Sequence, residues 1–284
     1  MQNKNMKKIT LNNGVEMPQL GYGVFQVSPE ECERCVSDAI SVGYRSIDTA
    51  QIYQNEEGVG NAVKKSGIDR KEFFLTTKIW PSNFGYEKAK LSIDKSLEKL
   101  QTDYIDLLLI HQPINDYYGA YRAMEEAYKE GKIRAIGVSN FYADRYLDLA
   151  HFVEVKPAVN QVETHVFHQQ RELQEIMKKH DTKLMSWGPL AEGKNDFFNN
   201  PVLKKIGEKY GKSVAQVALR YLFENDIILI PKSANKDRMA QNIDIFDFQL
   251  SVEDREIISQ MDERKPLIFD HRNPEMIEFL LSIV

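Results

Sequence analysis

The sequence is short of cysteine, of basic charge and of apolar runs, and each shortage removes a class of protein. Two cysteines, Cys32 and Cys35, cannot build a disulfide framework or a four-thiolate zinc site, which fits a reducing compartment. Lys plus Arg number 37 against 42 Asp plus Glu, a net charge of −5 and the wrong sign for a protein that lives on nucleic acid or anionic membranes. The longest apolar runs, Leu107 to Ile110 and Ile227 to Ile230, fall far below the ~18 residues that span a bilayer. The opening MQNKNMKK is polar, with no apolar stretch behind it. A cytoplasmic protein with a small-molecule partner is expected. Linkers rich in Pro, Gly or Ser, charge blocks and close repeats are lacking too, so one domain over residues 1–284 is the economical organisation.

What is present is the composition of a folded protein, 42% hydrophobic and 28% charged. At about 150 residues per domain the length suits two domains or one undivided barrel. Eight short apolar or β-branched runs alternate with amphipathic helical patterns: Gln19 to Val24, Tyr44 to Asp48, Phe73 to Ile79, Tyr104 to Ile110, Ile133 to Val138, Ala158 to Val162, Lys183 to Trp187 and Ile227 to Pro231. Spacings of three and four, as in Tyr86, Ala89, Ile93, Leu97 and Leu100, put one apolar stripe against a sheet. Ser28-Pro29-Glu30-Glu31 and Ser213-Val214-Ala215-Gln216 both read as capping boxes. Ahead of the eight units, Lys8 to Leu11 and Val15 to Met17 flank Asn12-Asn13-Gly14, the signal of a small hairpin acting as plug or lid.

Eight such units predict a (β/α)₈ barrel, whose chemistry sits at the carboxyl ends of the strands. Those ends are polar or aromatic: Asp48, Lys78, His111, Ser139-Asn140, Gln161, Trp187 and Lys232-Ser233, those from Asp48 to Trp187 each about one βα unit from the next. Tyr53 follows five residues after Asp48. Tyrosine is a weak acid, and to donate a proton near neutrality it wants a cation beside it, which Lys78 supplies while Asp48 keeps Lys78 ionised. His111 can then orient a carbonyl oxygen as Tyr53 protonates it. On spacing alone, an Asp48–Lys78 ion pair that merely plugs the barrel, with Tyr53 a loop aromatic, stays open.

The stretch Gly43 to Glu56, GYRSIDTAQIYQNE, resembles the signature of the aldo-keto reductases. Leu75-Thr76-Thr77-Lys78, Leu109-Ile110-His111 with Pro113, Ile136 to Phe141, Asn160 to Glu163, and Ile230 to Ser233 with Arg238 and Asn242 follow in that family's order. The likeness covers about residues 8 to 275, and Gly23-Val24-Phe25-Gln26 with the tail is most similar to the short diketogluconate and glyoxal reductase type. The resemblance implies Tyr53 as proton donor, Lys78 and Asp48 as its tuning pair and His111 as carbonyl orienter. It implies NADPH as cofactor, with Ser139, Asn140 and Gln161 on the nicotinamide carboxamide and Trp187 stacked on the ring. Lys232, Ser233 and Arg238 would grip the 2′-phosphate and Asn242 would lie near adenine, with Gly23, Val24, Phe25, Asp48, Leu190 and Gln241 also at the cofactor.

Phe25, Trp80 and His111 would face the substrate, beside an apolar stretch at Leu267 to Phe269, unless Trp80 merely caps the barrel core. The implied reaction is NADPH-dependent reduction of aldehydes, ketones, dicarbonyls or open-chain keto-sugars, by a protein expected to be monomeric. A cofactor-binding regulatory barrel with little catalysis is the alternative, which the complete Asp48, Tyr53, Lys78 and His111 set opposes. A barrel glycosidase would need two flanking carboxylates, where strands four and seven end in His111 and Trp187. Four positions depart from the family: Gln112 follows His111 in place of a frequent tryptophan, Trp187-Gly188 replaces Tyr-Ser, and Gln241 replaces glutamate.

Other motifs are weaker. Gly58-Val59-Gly60 begins like a dinucleotide fingerprint but has valine at the third glycine position and no strand before it. Cys32 and Cys35 fall on an apolar helical stripe as core thiols. His165 and His168 beside Glu163 have ligand-like spacing without a third convergent ligand, so no metal is expected. After the last helical pattern, Ser251 to Met261, little chain remains, which predicts an open site.

Overall fold

The computed structural model describes residues 7–284; most of the polar opening MQNKNMKK, residues 1–6, lies outside them. A hairpin of β1 (Lys8–Thr10) and β2 (Glu16–Pro18) precedes eight parallel strands: β3 (Tyr22–Gly23), β4 (Ser46–Asp48), β5 (Phe74–Ile79), β6 (Ile105–Ile110), β7 (Ile133–Ser139), β8 (Val159–Glu163), β9 (Lys183–Trp187) and β10 (Ile228–Leu229). They pair in chain order, and the ring closes where Leu20 bridges Leu229 and the Gly21 amide donates to the Leu229 carbonyl at 2.7 Å. The predicted barrel is the one observed.

The helices are α1 (Pro29–Val42), α2 (Glu56–Lys65), α3 (Tyr86–Leu100), α4 (Tyr117–Lys129), α5 (Ala143–Phe152), α6 (Arg171–Lys178), α7 (Pro201–Tyr210), α8 (Val214–Glu224), α9 (Lys236–Ile243), α10 (Val252–Ser259) and α11 (Pro274–Ser282). Every residue of β5 and β6 is buried, because parallel strands are covered by helices outside and side chains inside. Leu107 and Leu109 face inward with Met17 and Leu11 of the hairpin, while Leu108 and Ile110 pack outward with the helices. Gly137 is required by this filling, since a Cβ there would lie 2.3 Å from the Val159 carbonyl oxygen. The hairpin is a plug rather than a lid: Asn12 and Asn13 donate to the carbonyls of Pro157 and Arg134, at the starts of β8 and β7.

Two local expectations need correction. Ser213 and Gln216 form the full capping box of α8, but both halves fail at α1: the Glu31 amide goes to the Ser28 carbonyl and not its hydroxyl, and the Glu31 carboxylate pairs with Arg34. The chain beyond Met261 is also not a bare end. It crosses the carboxyl mouth of the barrel and ends in α11, whose Leu280 packs with Trp80 and Ile114. Among the described residues no helix is long and apolar enough to cross a membrane.

Candidate active site

The segment after β4 is stapled on both sides, and this sets Tyr53. Asn55 donates to the carbonyls of Val24 and Val27 and accepts from Thr49 Oγ1 at 2.7 Å. Gln51 accepts from the Trp80 amide and Asn83 while donating to Ser96. A cleft of about 580 Å³ opens above the barrel, with Asp48, Tyr53, Trp80 and His111 on its wall.

Lys78 is fully buried beneath that wall. Its Nζ donates to Asp48 Oδ1 at 2.6 Å and to the Thr49 carbonyl at 2.8 Å, and lies 5.0 Å from the Tyr53 ring centre. Burial works against the Lys78 charge, but Asp48 and Tyr53 together outweigh it and hold the ammonium above its ordinary pKa. Burial raises the Tyr53 hydroxyl, opposed by the charge of Lys78, so the phenol keeps its proton at neutral pH. Burial, with Lys78 and His271 nearby, drives His111 well below the usual histidine range, leaving a neutral ring. That ring stands edge-on to Tyr53 and Trp80, at 5.7 and 5.1 Å between centres, and its Nδ1 is buried without a partner among the described residues.

Around this group lie the other predicted residues. Gly23, Phe25, Ser139, Asn140, Gln161, Trp187, Leu190 and Lys232 share the cleft wall. Gln161 Nε2 is bound to Asp48 Oδ2 at 2.8 Å, and the Ser139 hydroxyl donates to the Gln161 carbonyl. Asn140, at a φ of +67° that asparagine tolerates, spends its whole amide on protein groups: it donates to the His111 carbonyl and Gln112 and accepts from Trp187 Nε1. Val24 is buried off the wall, its carbonyl taken by Asn55. Ser233, Arg238, Gln241 and Asn242 continue past Lys232 along the loop and α9, beyond the cleft itself. Lys232 and Arg238 are exposed and form no ion pair among the described residues.

Ile268 and Phe269 stand on the wall as expected of the stretch Leu267 to Phe269, whereas the Glu163 clasp that holds them, and Glu192, Phe198, His271 and Leu280, were not anticipated. Glu163 is buried at the end of β8, and its carboxylate accepts the backbone amides of Leu267, Ile268 and Phe269 at 2.6, 3.1 and 3.1 Å and His165 Nε2 at 3.1 Å. Burial would raise its pKa, but these hydrogen bonds outweigh it and lower the value. The tail so held adds Ile268, Phe269, His271 and Leu280 to the wall, and Glu192 and Phe198 close another side. The cleft is therefore walled where an open site was expected. His165 and His168 are buried; His165 Nδ1 accepts the Phe167 amide, and His168 Nε2 meets Gln170. Gly58 and Gly60 lie within α2, where a Cβ on Gly60 would strike the Lys99 carbonyl, and both cysteines are buried on α1.

A model of the Aldo/keto reductase family matches residues 17–263. A glyoxal reductase of Bacillus subtilis (strain 168) is 49% identical over 260 residues, 90% of this chain and 94% of its own. The methylglyoxal reductase DkgA of Escherichia coli (strain K12) is 42% identical over 91% of this chain and 94% of its own. Among solved structures, an aldo/keto reductase from Brucella melitensis superposes with a TM-score of 0.88 at 45% identity, covering 91% of this chain and all of its own. A Bombyx mori aldo-keto reductase in complex with NADP gives 0.87 at 35% identity over 94% and 95%.

Proposed function

The chain belongs to the aldo/keto reductase family, and from that premise we propose that it reduces aldehydes and ketones, α-dicarbonyls foremost, with NADPH. The observation that carries this reading is the Lys78 ammonium, held charged by Asp48, against the ring of a still-protonated Tyr53 at the cleft wall. A developing alkoxide wants a proton and fixed positive charge, and this pair offers both without reorganisation. Tyr53 donates the proton; neutral His111, with its own proton on Nε2, hydrogen-bonds the same oxygen and keeps the carbonyl in line. Asp48 and Lys78 reload and steady the phenol.

The residues fit a nicotinamide dinucleotide phosphate. Ser139 Oγ and Gln161 Oε1 keep acceptor capacity for a carboxamide, Trp187 offers a flat face, and Lys232 and Arg238, exposed and without an ion pair among the described residues, are cations suited to a phosphate. When bound, the cofactor supplies the hydride. Gln241 and Asn242, past the cleft on α9, are placed for its outer parts, whereas buried Val24 acts only by anchoring Asn55. Metal is not called for, because Tyr53, Lys78 and His111 meet the oxygen's charge. One hydrophobic core running from Leu20 to Ile258 supports a single-domain enzyme, and the free cysteines support a cytoplasmic setting.

The test is NADPH consumption with a panel of aldehydes, α-dicarbonyls and keto-sugars ranked by kcat/KM. Turnover highest on α-dicarbonyls supports the reading; no turnover on any member favours a cofactor-binding regulator.

A further inference from the structure

The side-chain amides at the cleft can be oriented without assuming any of them, because one partner is a group that only donates. The Trp187 indole N–H lies 2.8 Å from one end of the Asn140 amide, which is therefore Oδ1. Asn140 Nδ2 then faces the His111 carbonyl at 3.1 Å, an acceptor, as a donor should. The same nitrogen meets Gln112 at 3.2 Å, so the Gln112 atom there is Oε1. His271 Nε2 reaches that oxygen at 2.8 Å and so carries the proton of its ring. Two donors lock the Gln112 amide, and its opposite end, Nε2, has no partner among the described residues. Gln112 is half-buried on the cleft wall, directly after His111 in the chain, and its nitrogen is not sealed from the cleft.

Resting on the reduction of carbonyls at Tyr53 and His111, we propose that Gln112 is a specificity-determining residue: a fixed N–H donor for the second oxygen of an α-dicarbonyl, held in place by His271 as its positioning residue. The neighbouring walls, Phe25, Trp80, Ile268, Phe269 and Leu280, offer a substrate apolar surface. A plain alkyl aldehyde would cover the Gln112 donor without pairing it, at a cost in desolvation, whereas an oxygen on the next carbon satisfies it. The Glu163 clasp on Leu267 to Phe269 holds the segment that leads to His271 against the cleft.

The test compares methylglyoxal with propanal, which has the same carbon count and one oxygen fewer, at saturating NADPH. Gln112→Leu should lower the methylglyoxal-to-propanal ratio of kcat/KM by roughly 3- to 10-fold, the worth of one neutral hydrogen bond. Effects passed through Asn140 to the cofactor act on both substrates and cancel in the ratio. His271→Phe should move the ratio the same way by less, and should move it no further in the Gln112→Leu background. An unchanged ratio, or additive effects of the two substitutions, overturns the proposal while turnover of both aldehydes leaves carbonyl reduction standing. A parent that consumes NADPH with neither aldehyde overturns both.

Discussion

The Glu163 carboxylate accepts the backbone N–H of Leu267 at 2.6 Å, joining the end of β8 to the tail across 104 residues of chain. One buried charge thereby fixes three successive amides and with them a wall of the cleft. Hydrogen bonds to a charged group contribute about 1.5 to 3 kcal/mol each, more than the neutral bonds elsewhere in the tail.

Glu163→Gln should therefore loosen the tail before it loosens the barrel. Amide hydrogen exchange at residues 267–269 is expected to speed up roughly 10- to 150-fold, while exchange in β5 and β6 stays slow. Unchanged exchange at those amides would mean that α11 alone holds the tail.

The barrel was legible because its strands are near-continuous apolar runs that each end in one polar or aromatic residue, as Leu107 to Ile110 ends in His111. Asn12-Asn13-Gly14 marked the hairpin by turn chemistry. The apolar stretch Leu267 to Phe269 was legible in the tail, but the clasp that holds it was not: Glu163 binds backbone amides, which carry no side-chain signature, and its partners lie too far along the chain for any periodicity to reveal. His271 and Gln112 escaped for the same reason, their meaning resting on a contact between distant residues. Asp48 and Lys78, expected to pair from their places at the ends of neighbouring strands, do so at 2.6 Å, although in register Asp48 stands beside Thr76 and Lys78 lies two residues further along β5.

The choice between NADPH and NADH turns on the 2′-phosphate. Lys232→Met or Arg238→Met should each weaken NADPH binding roughly 10- to 150-fold, one charge-assisted hydrogen bond, and leave NADH nearly unchanged. Quenching of tryptophan fluorescence, with Trp187 as reporter, reads both dissociation constants. Equal losses for the two cofactors would show that these cations do not hold the phosphate.

Acid should weaken the fold through its buried histidines. Burial holds His168 and His271 down at about 4, whereas each titrates near ~6.5 in an unfolded chain. Between those values the unfolded chain binds more protons, so the stability tied to the neutral rings is complete above pH ~6.5 and is lost as pH falls toward 4. Carboxylates such as Glu163, whose pKa is depressed, add their loss below that window. Tm should fall as pH drops from 6.5 to 4, and less steeply in His271→Phe. A Tm level across the window would contradict the neutral, buried assignment.

The central claim is that Tyr53 delivers the proton while the rest of the site binds without it. The measurement is kcat for methylglyoxal reduction together with NADPH affinity in Tyr53→Phe, a change that removes one hydroxyl and keeps the ring beside Lys78 and Phe25. The account predicts kcat lower by about 100- to 10,000-fold with the NADPH dissociation constant within about twofold of the parent. Turnover near the parent's would contradict it.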